Sequence, residues 1–456
     1  MSHLTPDHFI LRQACELDLI DAGSGRLEPL DDLFNSCTFP SLKRAVIYRF
    51  VHRPIQPLYD QPRIQAPQLR SLHLRNTFYR WTSSVLNSLI LGDPEDPIYT
   101  DSIILDNVHL TYMLQTSATS LESLTLSGFL LQEDGDSDDN AIPAIALMRL
   151  RYLRIDAEIL SGEEDWELYS KVLAAVELPP TAKVVLTSHS TGGDDVHYEL
   201  GTDEFMDTDA NIVKDCLRVK QGCNLDGLVI SGRPDPETPL YEEGLAFTFY
   251  SDVNGRLPAL DRIKDGIDQS QSALVTSFRF MTGPGYDPSL AYLNTLHLFH
   301  PAILSQLTAM AYMATFSFED QLQCRFAFSS LLNASTHVRT FALRDAVLSA
   351  SEDSRLEDRN PWRSLVHMLG CPILPELECL ILYDVVDLRG LPDILGSRMR
   401  SLRQVGWPVA KLRELRLHVL LGAHDEASSG GGGLDVPVML PPTLYEYAES
   451  VVLYKH

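Results

Sequence analysis

NPWRSLVHMLGCPILPELECLILY, residues 360–383, holds the unit from which the fold is read. Asn360 suits a helix cap and Pro361 the first helical position, and Trp362, Leu365, Val366 and Leu369 fall on one face, so a helix is expected up to Cys371 and Pro372. After a proline-punctuated turn, Leu377, Leu380 and Leu382 are spaced LxxLxL. Alternation over the last four residues turns Leu380 and Leu382 toward one side of an extended segment. A lone helix and strand of this kind cannot bury their apolar faces. Copies must stack and share a continuous core.

Copies are present along the chain. Leu42, Ala45 and Ile47 in PSLKRAVIY are followed 27 residues later by Leu69, Leu72 and Leu74 in APQLRSLHL, then by Leu121, Leu124 and Leu126, and by Leu150, Leu153 and Ile155. A step of about 20 to 29 residues is typical of leucine-rich repeats. Strand VVL follows at 184–186, and the spacing returns at Leu225, Leu228 and Ile230, at Leu293, Leu296 and Leu298, at Val338, Phe341 and Leu343, and at Leu412, Leu415 and Leu417. Helices are expected at 82–91 (TSSVLNSLIL), 110–118, 163–178, 301–314 (PAILSQLTAMAYMA) and 325–334, and a cryptic strand of the ladder, without its leading leucine, around Ile103 and Leu105. LAFTFY at 245–250 and VTSFRFM at 275–281 read as strands by alternation and aromatic content. The expected fold is α/β, an irregular leucine-rich-repeat-like solenoid with parallel strands on the inner face and helices on the outer face. Its expected organisation is an N-terminal cap at 1–38 and the solenoid at 39–422, with regular blocks at 39–186 and 289–422 around an irregular insert at 187–288. A Gly/Ser-rich linker at 423–437 and a tail at 438–456, read as a short capping helix or strand, complete it.

With 456 residues, 45% of them hydrophobic, and a mean hydropathy of −0.06, the chain has the means to bury a large core. Its 37 basic and 62 acidic residues leave a net charge of −25, which argues against nucleic acid or an anionic membrane as partner. Seven cysteines, odd in number and without a CxxC pair, suit free thiols in a reducing compartment. The N-terminus has no basic segment leading into an apolar core, and no run reaches the roughly 18 apolar residues of a membrane span. Cytoplasm or nucleus is the expected location. The acidic loop QEDGDSDDN, 132–140, places Asp134, Asp136 and Asp138 at alternate positions, yet Asp139 stands where a calcium loop needs glycine and Ile145 where it needs the closing glutamate. It reads as a solvated loop. GxSxG, HExxH and GxxxxGK[ST] are all missing, His300 and His367 sit in structural contexts, and GPGYDP at 283–288 is a turn without a following helix. No catalytic, cofactor or metal residue is therefore assigned, and an enzyme is not expected.

The succession PSLKRAVIY, APQLRSLHL, TSLESLTLSG, LMRLRYLRID and LPPTAKVVL resembles the fungal F-box and leucine-rich-repeat-like proteins expanded in mushroom-forming fungi, over about residues 39 to 420. That resemblance implies a role in ubiquitin ligation. In such proteins a short F-box docks on the Skp-type adaptor of a cullin–RING ligase and the repeats recognise the protein substrate. The family's LPPELL-like opening, followed by IF and a tryptophan, is missing from residues 1–60, where PLDDLFNS at 29–36 is the nearest match. Residues 1–38 are thus a cap or an F-box remnant. Eight residues after the leading leucines, where the standard repeat carries asparagine or cysteine, stand Thr77, Phe129, Glu158, Arg233, Pro301, Ala346, Val385 and Leu420. No asparagine ladder is possible there, and uneven curvature is expected.

Residues between and just after the last two apolar positions of each rung should point to the open inner face. They are His73 and Arg75, Thr125 and Ser127, Arg154 and Asp156, Val229 and Ser231, His297 and Phe299, Ala342 and Arg344, Ile381 and Tyr383, and Arg416 and His418. Four arginines against one acid suit an acidic or phosphorylated peptide, with Tyr383 and Phe299 as apolar anchors. His73, Arg75, Arg154, His297, Phe299, Arg344, Tyr383, Arg416 and His418 are the expected partner-binding set. The expected function is a protein-interaction solenoid that serves as the substrate-recognition part of an F-box-type adaptor. The alternatives are an interaction scaffold without a ubiquitin link, and a hydrolase or transferase betrayed by a deep pocket of converging His and acidic side chains.

Overall fold

The computed structural model describes residues 13–21, 28–49, 60–92, 103–127, 129–132, 144–159, 173, 175–190, 224–234, 243–251, 253, 274–282, 301–313, 321–344, 369–385, 388, 390–419 and 440–455. The chain is α/β, with mostly parallel strands and few helices. It divides into two compact units, Met1–Cys223 with Thr276–Gly283, and Asn224–Val275 with Pro284–His456.

In the first unit, β1 (Glu16–Asp21), β2 (Arg44–Arg49), β4 (Ser71–Arg75), β6 (Ser88–Leu91), β8 (Ser123–Ser127), β11 (Tyr152–Ile159), β13 (Lys183–Ser190) and β16 (Leu274–Thr282) lie side by side in that order, all parallel. Register carries the aliphatic pattern across them. Leu17, Ala45, Leu72, Leu89, Leu124, Leu153 and Val184 form one row, and Leu19, Ile47, Leu74, Leu91, Leu126, Ile155 and Leu186 the next. Apart from half-buried Leu19, all of them are buried, as are the leading Leu42, Leu69, Leu86, Leu121 and Leu150. Each fully buried side chain of this size contributes roughly 1.5–3 kcal/mol through the removal of apolar surface from water.

The turns before the rungs repeat one hydrogen-bonding scheme. The carbonyl of Lys43 accepts from the N–H groups of Arg70 and Ser71, that of Arg70 from Asn87 and Ser88, that of Asn87 from Glu122 and Ser123, and that of Glu122 from Arg151 and Tyr152. Serines assist where asparagine is lacking. Buried Ser83 donates its hydroxyl to the Leu69 carbonyl at 2.6 Å, and Ser120 donates to the Leu86 carbonyl at 2.7 Å, so each ties its own rung to the leading leucine of the rung before. At the end of β6, Gly92 has φ +85 and a Cβ there would lie 1.5 Å from the Ser127 carbonyl oxygen. Only glycine fits that turn.

Among the described residues of this unit, short parallel pairs lie outside the main sheet. They are β3 (Arg63–Ile64) with β5 (Arg80–Trp81), β7 (Ile103–Asp106) with β9 (Phe129–Gln132), and β10 (Ile145–Ala146) with β12 (Val176–Glu177). The strand expected around Ile103 is therefore real but lies outside the ladder of rungs. The helix expected at 110–118 spans Asn107–Ser117. The helix expected at 82–91 is a correction: Ser88–Leu91 is strand β6, and Leu86, Leu89 and Leu91 are themselves an LxxLxL triplet. Spacing i, i+3, i+5 overlaps helical spacing at its first step, and pairing with β4 and β8 decides for the strand. Val176, expected on a helix, lies in β12. PLDDLFNS falls in the helix Glu28–Ser36, which buries Leu33 and Phe34. Asp31 on that helix receives Arg49 Nη2 at 2.6 Å and the Tyr79 hydroxyl at 3.0 Å, while Arg49 Nη2 also donates to the Tyr79 oxygen. Burial holds the Tyr79 phenol well above its ordinary value, so it stays protonated and donates to Asp31.

In the second unit the order is β15 (Glu243–Ser251), β14 (Leu225–Pro234), β17 (Ala309–Tyr312), β18 (Thr340–Arg344), β19 (Cys379–Val385), β20 (Leu412–Val419) and β21 (Ala448–Lys455). Only β15 runs antiparallel, on β14. Leu228, Met310, Phe341, Leu380, Leu415 and Val451 share a row, and Ile230, Tyr312, Leu343, Leu382, Leu417 and Leu453 the next. The long helix expected at 301–314 ends at Leu304. Leu307, Met310 and Tyr312 are another triplet, and Met310 and Ala311, both within the helix expected there, lie on opposite faces of β17. Phe328, on the helix Gln321–Ala334, packs edge-on to Tyr312 at 4.9 Å. The tail is a 3-10 turn, Pro442–Glu446, followed by strand β21.

The helix Leu391–Gln404 buries Leu391, Ile394, Leu395, Arg398 and Leu402. Arg398 reaches across to the Leu374 carbonyl, 2.7 Å from Nη2, and supports a residue held at φ 48. The expected strand at Leu293–Leu298, the helix at 360–368, the acidic residues 133–140, the turn at 283–288, the stretch 191–223 and the Gly/Ser-rich 423–437 lie outside the described residues.

Leu89→Ala is expected to cost about 3 kcal/mol in urea unfolding, whereas Val85→Ala, at a side chain 45% exposed in the same segment, should change stability by less than about 0.5 kcal/mol. Equal effects would contradict the placement of β6.

Candidate interaction surface

A strand that commits alternate side chains to one core places the others on the opposite face. In the second unit that face carries two rows. The first is Val229, Ala311, Ala342, Ile381, Arg416 and Val452, in register from β14 to β21. Its first four members are buried and belong to a cluster with Tyr250, Val253, Ala309, Met313 and Tyr383. The expectation that Val229, Ala342, Ile381 and Tyr383 face an open surface is thus corrected: small and aliphatic side chains make a second core on this side. The physical reason is composition, since Val, Ala, Ala and Ile side by side are apolar surface that folding removes from water.

The face changes character toward β20 and β21. The second row, one residue beyond the last aliphatic position of each rung, runs Arg344, Tyr383, His418, Tyr454. Arg344 is in register with Tyr383, and His418 with Tyr454. The Tyr383 and His418 rings stack at 4.3 Å with 24° between planes, and His418 and Tyr454 at 4.5 Å with 14°. The Arg344 guanidinium lies 5.8 Å from the Tyr383 centroid. Tyr383 and His418 are buried, while Tyr454 keeps 40% of its surface exposed. Three planar side chains are therefore fixed face to face before any ligand arrives, which lowers the entropy cost of binding against them.

Arg416 belongs to the neighbouring row and is not open. Its Nε donates to Glu414 Oε1 at 2.9 Å and its Nη2 to Oε2 at 2.8 Å, a bidentate pair on alternate residues of one strand. Hydrogen bonding from Arg416 holds the Glu414 carboxyl below its ordinary range, and the same bond raises the guanidinium. Burial pushes the nearby Cys379 thiol up to about 11, so it is protonated at neutral pH and a poor nucleophile.

In the first unit the corresponding positions hold His73, Arg75, Arg154 and Asp156. His73 donates from Nε2 to the Gly92 carbonyl at 2.8 Å, which fixes the turn after β6. Arg75 lies over the ring of Tyr48, 4.3 Å from its centroid. Arg154 Nε sits 2.6 Å from Oδ2 of fully buried Asp156, with buried Thr125, Ser127 and Thr187 around them in register. The structure thus brings Arg344, Tyr383, Arg416 and His418 together on one unit and His73, Arg75 and Arg154 on the other. His297 and Phe299 lie outside the described residues. Glu414 and Tyr454 were missed in the sequence, although both could have been found: Glu414 shares the face of Arg416 two residues on, and Val451 and Leu453 mark the tail as one more rung.

Among the described residues no group of three or more His, Cys, Asp or Glu is placed to hold a metal ion, and no helix is long and apolar enough to cross a membrane. No protein-family model matches the chain, and no curated protein matches it.

Glu414 is a carboxylate with a depressed value, so its pairing stabilises the fold above the ordinary carboxylate range and is lost as pH falls through the depressed value. Wild type is therefore expected to lose more stability than Glu414→Gln between about pH 5 and pH 3. Urea midpoints measured across that interval check this, and parallel curves would contradict it.

Proposed function

We propose that the chain is a protein-interaction molecule, an irregular leucine-rich-repeat-like solenoid whose second sheet face, at the β19–β21 end, takes a protein partner. The observation that carries this is the Arg344–Tyr383–His418–Tyr454 row. Buried Tyr383 and His418 stack behind Tyr454 and hold its exposed ring as rigid planar surface of the kind that dominates interfaces. The rungs supply the reason for the rigidity, because each planar group stands on a strand locked by the aliphatic rows behind it.

The resemblance to F-box and leucine-rich-repeat-like proteins supports a setting for this role: substrate recognition for a cullin–RING ubiquitin ligase, with a Skp-type adaptor as a second partner. An acidic or phosphorylated substrate draws less support, because Arg416 already holds Glu414 and Arg154 already lies against Asp156. Breaking the Arg416 pair to bind a new acid would replace one ion pair with another at little gain, and drawing Arg154 away would leave buried Asp156 uncompensated. A scaffold without ubiquitin chemistry uses the same face.

Affinity purification of the wild type and of a His418→Ala, Tyr454→Ala double variant, followed by mass spectrometry, tests the role. The expected result is selective loss of one or a few partners with the folded variant, while Skp-type adaptor and cullin are recovered with both. Identical partner sets would overturn the assigned face. Absence of adaptor and cullin from both would remove the ligase setting and leave the interaction role.

A further inference from the structure

Tyr48 with Arg75 in the first unit, and Arg344, Tyr383, His418 and Tyr454 in the second, occupy the same place in their rungs, directly after Ile47, Leu74, Leu343, Leu382, Leu417 and Leu453. Parallel strands lie about 4.8 Å apart. That spacing suits face-to-face contact of flat groups, as the 4.3 and 4.5 Å ring separations show. Tyr454 ends its row. Among the described residues no strand pairs with β21 on the side away from β20. One ring face of Tyr454 is covered by His418, and the residue remains 40% exposed.

Among the described residues the backbone of β21 has no strand paired to it in the same direction. Glu414 donates its N–H to the Glu378 carbonyl, so Glu414 and Arg416 turn their backbone groups toward β19, and Leu415 and Leu417 turn theirs toward β21. With Leu415 opposite Val451 and Leu417 opposite Leu453, the residues that bond β20 are Ser450, Val452 and Tyr454. Val451, Leu453 and Lys455 direct N–H and C=O outward, and Val451, Val452 and Leu453 are only half-buried. An edge of this kind is a template for one more strand.

The geometry points to β21 as the docking edge for an extended basic segment of a partner protein, which adds in parallel as a further rung and lays an arginine on the open face of Tyr454. This rests on the protein-interaction role proposed above and names its occupant. Register fixes the segment's pattern: two aliphatic residues separated by one, beside Val451 and Leu453, with arginine directly after the second. The protein contains that arrangement already. SLHLR, residues 71–75, runs parallel to β2 with Leu72 and Leu74 opposite Ala45 and Ile47, and places the Arg75 guanidinium 4.3 Å from the Tyr48 ring centroid. Charge selects the cation over a neutral ring, since a chain of net charge −25 attracts a basic segment and the tyrosine face attracts a guanidinium.

The test uses a fluorescently labelled SLHLR peptide, blocked at both ends, titrated with the full chain and read by anisotropy. Saturable binding is expected, about three- to fivefold weaker when glutamine replaces the peptide's arginine, and lost when the peptide backbone is N-methylated at alternate residues. Tyr454→Leu, which keeps an apolar side chain on the strand, should bind both peptides equally. No saturable binding, or a preference for arginine that survives Tyr454→Leu, would overturn the proposal. So would concentration-dependent self-association of the wild type that Tyr454→Leu abolishes, since the edge would then belong to a second copy. Peptide failure alongside partner recovery that still depends on His418 and Tyr454 would sink this docking mode and leave the interaction role standing.

Discussion

Leu72 has no means of staying dry on its own strand. Ala45 on one side and Leu89 on the other sit opposite it in register, and the leading Leu69 closes the row from the turn. The described rungs of the two units repeat this dependence, with Ala45, Ile47, Ile155, Val184, Ile230, Met310, Tyr312, Phe341 and Val451 in places held elsewhere by leucine. A parallel strand has no hairpin to fix its register, so the aliphatic rows must do it: a slip by one residue would send Leu72 and Leu74 to the opposite face and bring His73 into the core. The hydrogen bonds that the carbonyls of Lys43, Arg70, Asn87 and Glu122 accept from the residues that begin the next rung act in the same direction.

From that constraint the second face follows. Once parity is set, the residues at 344, 383, 418 and 454 have to stand on one face of neighbouring strands, and flat side chains at strand spacing have to stack. The same face nearer β14 holds Val229, Ala311, Ala342 and Ile381 and is buried. One sheet face thus passes from apolar packing to a stack of planar side chains within a few strands, with Tyr383 and His418 buried and Tyr454 left 40% exposed at its end. The ion pairs of the two units, Arg416 with Glu414 in the second and Arg154 with Asp156 in the first, are internal fittings that hold side chains in place.

Much of this was legible in the amino-acid order. The triplets at Leu69, Leu121, Leu150, Leu225, Val338, Leu377 and Leu412 all begin rungs, because leucine at i, i+3 and i+5 next to a turn has few other uses. Parity also placed Arg344, Tyr383, Arg416 and His418 on a common face. Leu86–Leu91 and Leu307–Tyr312 carry the same triplet, yet a helix-like prelude, serine and threonine before one and Pro301 before the other, hid it. Helix Leu391–Gln404 was passed over although Leu391, Ile394, Leu395, Arg398 and Leu402 fall on one stripe, because arginine in that stripe reads as surface. Burial of Arg398, which lowers its guanidinium to about 10 and still leaves it charged at neutral pH, follows from the Leu374 carbonyl that only the tertiary structure brings near.

The account stands on register, and β6 is where register is least obvious from the sequence. Cysteine pairs introduced as Ser71→Cys with Ser88→Cys, and as Ser88→Cys with Ser123→Cys, place thiols opposite each other on adjacent parallel strands. Treatment with a short thiol-specific cross-linker and peptide mapping by mass spectrometry should join Ser88 to either neighbour with comparable yield. A Ser88 position that links to neither, or to one neighbour alone, would contradict the stacked rungs on which the fold and the proposed interaction face depend.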